Sequence, residues 1–212
     1  MAKLRITYNA PVVLTFTLLA VAVFLLPQET RVHYFAAHPK IIDASSYVGL
    51  VTHILGHASW EHLLGNFMLI LLIGPILEER HGSLSLLIMI LITALVTGLI
   101  NLAFSSNFLL GASGVVFMMI LLASTANIKQ REIPLTFIAI AVIYLGGEIY
   151  RAVASDDNVS RMAHLIGGLS GAVFGFISAK GRSAAGPTVK DLGLPAAKPA
   201  LAGATAKPKP KA

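Results

Sequence analysis

The sequence predicts an all-α membrane protein, a bundle of six transmembrane helices, and three observations carry that expectation. Of 212 residues, 56% are hydrophobic and 12% charged, against roughly 25% charged in an ordinary soluble domain. Mean hydropathy is +0.78. The apolar residues are gathered into six runs. Cysteine is absent, so disulfides, thiolate catalysis and cysteine-ligated metal are excluded. Histidine, serine and carboxylates are left as carriers of chemistry. The net charge is +6, with seven of the sixteen basic residues following from Lys180 onward and no aromatics between them. That pattern reads as an anchor facing anionic lipid, not as a nucleic-acid surface.

Lys3 and Arg5 precede the first run, Ala10–Leu26, which ends in Leu-Leu-Pro-Gln without a small-x-small cleavage site and therefore reads as a retained span. Residues 1–9 form a cytoplasmic N-terminus. Residues 27–60 are too polar to cross a bilayer and too apolar to be disordered, so they read as a long outer loop packed with short interfacial helices. Five further spans are expected at Glu61–Leu77, Leu84–Phe104, Ser113–Ala126, Ile133–Ile149 and Met162–Ala179. Several are shorter than the usual ~20 residues, which is tolerated where neighbouring helices fill the bilayer. The membrane domain then covers residues 10–179. Residues 180–212, rich in Ala, Lys and Pro, lack periodicity and read as a disordered cytoplasmic tail.

Six spans put both termini on one side. With the N-terminus inside, Lys3, Arg5, Arg80, Lys129, Arg131 and the seven tail residues lie inside, twelve in all. Four, Arg31, Lys40, Arg151 and Arg161, lie outside. This bias supports cytoplasmic termini. The compact six-span form favours a bacterial inner membrane.

Depth brings polar residues from three spans into one layer. Measured upward from the cytoplasmic ends at about 1.5 Å per residue, Ser113 lies about 21 Å up, His164 about 24 Å, His62 about 24 Å and Asn66 about 18 Å. Ionisable groups are costly at that depth, so their convergence reads as a site. His62 and Asn66 are spaced i, i+4 and share a helix face. Gly167, Gly171 and Gly175 form a small-residue ridge on the side of His164, for which Gly114 offers a groove. Close approach of those spans brings His164 to Ser113, where a neutral imidazole can take the hydroxyl proton. Glycines on either side of Ala112-Ser113 let the backbone turn sharply there. With no carboxylate beside His164, a Ser–His dyad is expected, its imidazole oriented by packing against Phe117. The side chains of His62 and Asn66, with the Ser113 N–H, supply donors for a developing oxyanion.

His57-x4-His62-x3-Asn66, Glu78-x-Arg80-x-Gly82, Gly111-Ala112-Ser113-Gly114 and Ala163-His164-x2-Gly167-x3-Gly171 together resemble, in order and spacing, the rhomboid intramembrane serine proteases. The match runs from about Val48 to Ala179. It implies a rhomboid-like bundle in which a short central helix bears the nucleophile. Ser113 would be nucleophile, His164 base, and His62 and Asn66 oxyanion donors. His57 would support the site, and Glu78 and Arg80 would be structural partners at the cytoplasmic turn. The resemblance also implies cleavage of single-span membrane proteins near the outer face, at small residues in a locally unwound helix, with substrate entering past the fifth span. Many rhomboids carry Trp-Arg where this chain has Val48 and Gly49, which bears on loop anchoring and substrate range.

The bland readings are an interhelical hydrogen bond for Ser113 and His164, and a polar clasp for His62 and Asn66. His53, His57 and His62 imitate a zinc site, but no His-Glu-x-x-His occurs. No metal and no cofactor are expected. His33, His38 and His81 read as loop residues. Gly146, Gly147 and Glu148 read as a packing notch rather than a gate. Two function classes follow, a protease and a non-catalytic rhomboid-like binder of membrane proteins, and the intact dyad separates them. A transporter is disfavoured by the lack of an inverted repeat.

Overall fold

The computed structural model describes residues 7–125, 135, 137–140, 142–143 and 158–184. Among them the architecture is helical, with one isolated antiparallel bridge between Ala37 and Leu109. The N-terminal six residues lie outside the described part. So do the tail from residue 185, Gly146, Gly147 and Glu148, and Lys129, Arg131 and Arg151 of the charge count. Of the expected fifth span, residues 135, 137–140 and 142–143 are described, and they are helical.

Helix α1 (Pro11–Phe24) begins with proline at its first position, where the missing N–H costs nothing. No side chain of the preceding Ala10 caps it. Instead the Glu78 carboxylate accepts the N–H groups of Val12 and Val13, both at 3.0 Å. That contact satisfies two orphan donors and sets a negative charge at the positive end of the helix dipole. Val13, Phe16, Ala20 and Val23 form its buried face.

Two short helices follow, α2 (Gln28–Tyr34) and α3 (Ala44–Thr52), the latter capped by Asp43, which accepts the Ser46 N–H at 3.2 Å. Glycines let this segment pack backbone to backbone. A Cβ at Gly49 would strike the Ala36 carbonyl, and one at Gly56 would strike that of Phe35. Thus Gly49, where a tryptophan–arginine pair would end in a long side chain, serves close packing instead.

Helix α4 (Trp60–His81) starts on the Ser59 cap, whose side chain accepts the His62 N–H. It ends at Gly82, which takes φ 83°. The helix therefore runs a turn past the expected end at Leu77, and His81 is helical rather than a loop residue. Glu78, implied as a structural partner by the resemblance, is buried, with its carboxylate engaged at the start of α1. Helix α5 (Ser83–Phe104) follows at once and turns Leu86, Ile90, Thr93, Ala94, Thr97, Gly98 and Asn101 inward. Both α4 and α5 have 22 residues and are long and apolar enough to cross a membrane. Helix α6 (Ser113–Ser124) is buried without interruption from Gly114 to Leu122, the pattern of a helix surrounded by others.

Helix α7 (Asn158–Ala184) begins a turn before the expected start at Met162, because its first turn is polar. It lies against α6 along its glycines. A Cβ at Gly167 would meet the Gly114 backbone and one at Gly171 the Met118 backbone, while one at Gly175 would meet the Thr125 side chain.

Candidate active site

The site gathers where α6 begins. Gly111 adopts φ 131°, a conformation that L side chains rarely take, and its N–H donates to the His53 carbonyl at 3.0 Å. A Cβ there would lie 2.6 and 2.7 Å from Cε1 and Nε2 of His62. The turn is thus pressed against the imidazole, with Asn66 Nδ2 just beyond. Ala112 ends the turn at φ −85° and ψ 5° without a side-chain cap, and its carbonyl accepts the Val116 N–H. Ser113 is the first helical residue of α6, half-buried between the buried Ala112 and Gly114. The N–H groups of this first turn have no intrahelical acceptor, and the positive end of the helix dipole stands behind them.

From the other side comes His164. Its ring stacks face to face on Phe117, with centroids 4.4 Å apart and planes 5° from parallel. The Ala163 carbonyl would be 3.2 Å from a Cβ at Gly114. The residue after the serine therefore touches the residue before the histidine.

His57 completes the arrangement. It stands in the non-helical stretch before α4, fully buried, its ring 5.0 Å from that of His62. Its Nδ1 lies 3.2 Å from the Leu55 carbonyl and must donate there. Nε2 is then the acceptor for Asn66 Nδ2 at 3.0 Å and, more weakly, for the Ala112 N–H at 3.4 Å. One amide proton of Asn66 is fixed in this way, and the geometry of the amide fixes the direction of the other. Burial first, then the neighbouring His62 charge, lowers the His57 pKa to about 4, so the ring is neutral at pH 7.

His53 does not join His57 and His62. Its Nε2–H donates to the Ala94 carbonyl of α5 at 3.0 Å, with the Thr97 hydroxyl 3.3 Å away, and burial lowers its pKa to about 4. Thr97 also lines a cavity of about 90 Å³, together with Asn101, Leu109, Met162 and Ala163. Glu78 and Arg80 lie at the far end of α4, away from the site. His38 lies outside the helices, as expected, and is buried with Nε2 near the carbonyls of Val32 and His33, whereas His33, also expected in a loop, is part of α2. Sequence reasoning passed over Arg31, counted there only as a charge for topology. Its Nη1 donates to the His57 carbonyl at 2.6 Å, while the guanidinium lies 4.5 Å from the Phe24 ring centroid.

The chain is 34% identical over 132 residues to Rhomboid-related protein 1 of Caenorhabditis elegans, which covers 57% of this chain and 37% of that protein. It therefore spans well under half the length of that relative. It is 25% identical over 176 residues to Rhomboid protease GlpG of Haemophilus influenzae, covering 80% of this chain and 91% of that one. The profile of the Rhomboid domain matches residues 44–181, a stretch that runs from the start of α3 to near the end of α7 and takes in His57, Asn66, Ser113 and His164. On that match the chain belongs to the rhomboid family, a family of membrane proteins.

Proposed function

We propose that the protein is an intramembrane serine endopeptidase, a six-span bundle with α6 as its central helix and both termini cytoplasmic, that cleaves single-span membrane proteins near the outer face. The observation that carries this reading is the flat stack of Phe117 on His164 beside the start of α6. An imidazole clamped in this way next to a half-buried serine is suited to general-base work. Membership of a family whose members are generally intramembrane serine proteases supports it, as does the likeness to Rhomboid protease GlpG.

In the reaction, Ser113 Oγ attacks the scissile carbonyl carbon while His164 takes its proton. The carbonyl oxygen gains the negative charge and is met by the Ser113 N–H and the side chains of His62 and Asn66. His164 returns the proton to the leaving amine, and an acyl-enzyme ester remains. Water, deprotonated by the same histidine, attacks the ester, and collapse of the second tetrahedral adduct frees the acid and restores Ser113.

The test is covalent labelling of the purified protein by a fluorophosphonate, together with cutting of a single-span substrate in liposomes. Wild type is expected to label and cut, whereas Ser113→Ala and His164→Ala, each folded, do neither. A folded wild type that neither labels nor cuts would leave the non-catalytic binder of membrane proteins as the function.

A further inference from the structure

We infer that Arg31 is a positioning residue of the oxyanion side of the site, holding the backbone of His57 so that its ring keeps Asn66 aimed at the carbonyl oxygen. The inference rests on the protease reading and adds a residue to it that lies outside the matched domain, residues 44–181.

The geometry runs in three steps. His57 sits in the stretch between α3 and α4 that has no helical hydrogen bonding to hold its carbonyl. Arg31 reaches across 26 residues of chain to donate to that carbonyl at 2.6 Å, a charge-assisted bond. Its guanidinium is itself fixed, lying over Phe24, whose ring packs on Trp60 with centroids 4.4 Å apart. One cation thus ties the end of α1, helix α2 and the start of α4 to the peptide of His57. The ring of His57 accepts from Asn66 Nδ2 at 3.0 Å and leans on Phe67 at 5.7 Å. Rotation of the His57 peptide carries Nε2 away from Asn66 and frees the amide to turn. An oxyanion donor works only when it is already aimed.

A residue acting through Asn66 changes turnover more than binding, and loses its effect when Asn66 is gone. The experiment therefore measures kcat and KM for a fluorogenic single-span substrate in wild type, Arg31→Gln, Arg31→Lys, Asn66→Ala and the two double variants. R31Q is expected to lower kcat about tenfold with KM within about twofold, less than the roughly 100-fold or greater loss from deleting a donor outright. R31K, which keeps the charge, recovers most of the loss. In the N66A background both Arg31 variants change the residual rate by less than about twofold. Should R31Q fail to fold, R31K alone carries the comparison, with a loss of a few fold in wild type and none in N66A. Wild-type kcat in R31Q, or an equal loss with and without Asn66, overturns the assignment and makes Arg31 a plain anchor. A wild type no faster than Ser113→Ala removes the protease reading, and the role of Arg31 with it.

Discussion

Gly111 shows how much of the site depends on one missing carbon. Its φ of 131° and the His62 ring, 2.6 Å from where a Cβ would lie, leave no room for a side chain. Gly111→Ala adds a methyl group that collides with the imidazole and strains the backbone by about 1–3 kcal/mol. The expected outcome is a protein that still folds but labels with fluorophosphonate at least about tenfold more slowly, because the displaced imidazole no longer faces the developing charge. Labelling at the wild-type rate would mean that His62 has no part in the reaction. Gly65 supplies the contrast, since a Cβ there meets nothing within 4 Å.

At the level of elements, the contact of α6 with α7 positions the serine relative to the histidine, and glycine makes that contact possible. At Gly167 and Gly171 the neighbouring atoms are backbone, which cannot rotate aside as a side chain can. Gly171→Val must push the helices apart about two turns along α7 from His164, at a cost of about 1–3 kcal/mol. Thermal unfolding in detergent is expected at a lower temperature, with labelling slowed as Ser113 and His164 separate. Gly65→Ala, by contrast, shifts stability by no more than about 1 kcal/mol and in the favourable direction, because alanine is the better helix former. Equal effects from the two substitutions would count against close packing as the function of the α7 ridge. Helix α1 depends on a different kind of contact, the Glu78 carboxylate at its N-terminus. That arrangement explains why a glutamate is buried at the end of an apolar helix.

Across the whole molecule, what the sequence disclosed follows the range of the forces involved. Periodicity and spacing are local, so the positions of α4, α5 and α6, the shared face of His62 and Asn66, and the glycine ridge of α7 were legible in order along the chain. The hydrogen bond from Arg31 to the His57 carbonyl and the turn of His53 toward Ala94 join residues far apart in sequence, and no pattern announces them. The same two histidines tie the 27–60 segment to the helices. His53 bonds to α5, and His57 bonds to α4 and to the turn before α6. Both are buried, and burial is the first cause that lowers each to about 4 from an ordinary value of 6.5. Their folded-state values lie below their unfolded ones, so between pH 6.5 and pH 4 the unfolded chain binds more protons than the folded one. Their contribution to stability is complete above pH 6.5. It is lost as pH falls toward 4, at up to about 1.4 kcal/mol per pH unit for each histidine. Thermal unfolding in detergent is expected to be insensitive to these groups from pH 8 to 7, then to move steadily lower through pH 5. In His53→Gln the fall is shallower, because one of the two sites is gone. A wild-type midpoint that stays level from pH 7 to 4.5 would show that neither imidazole is held neutral, and the donor pattern assigned to His57, accepting from Asn66, would fall with it.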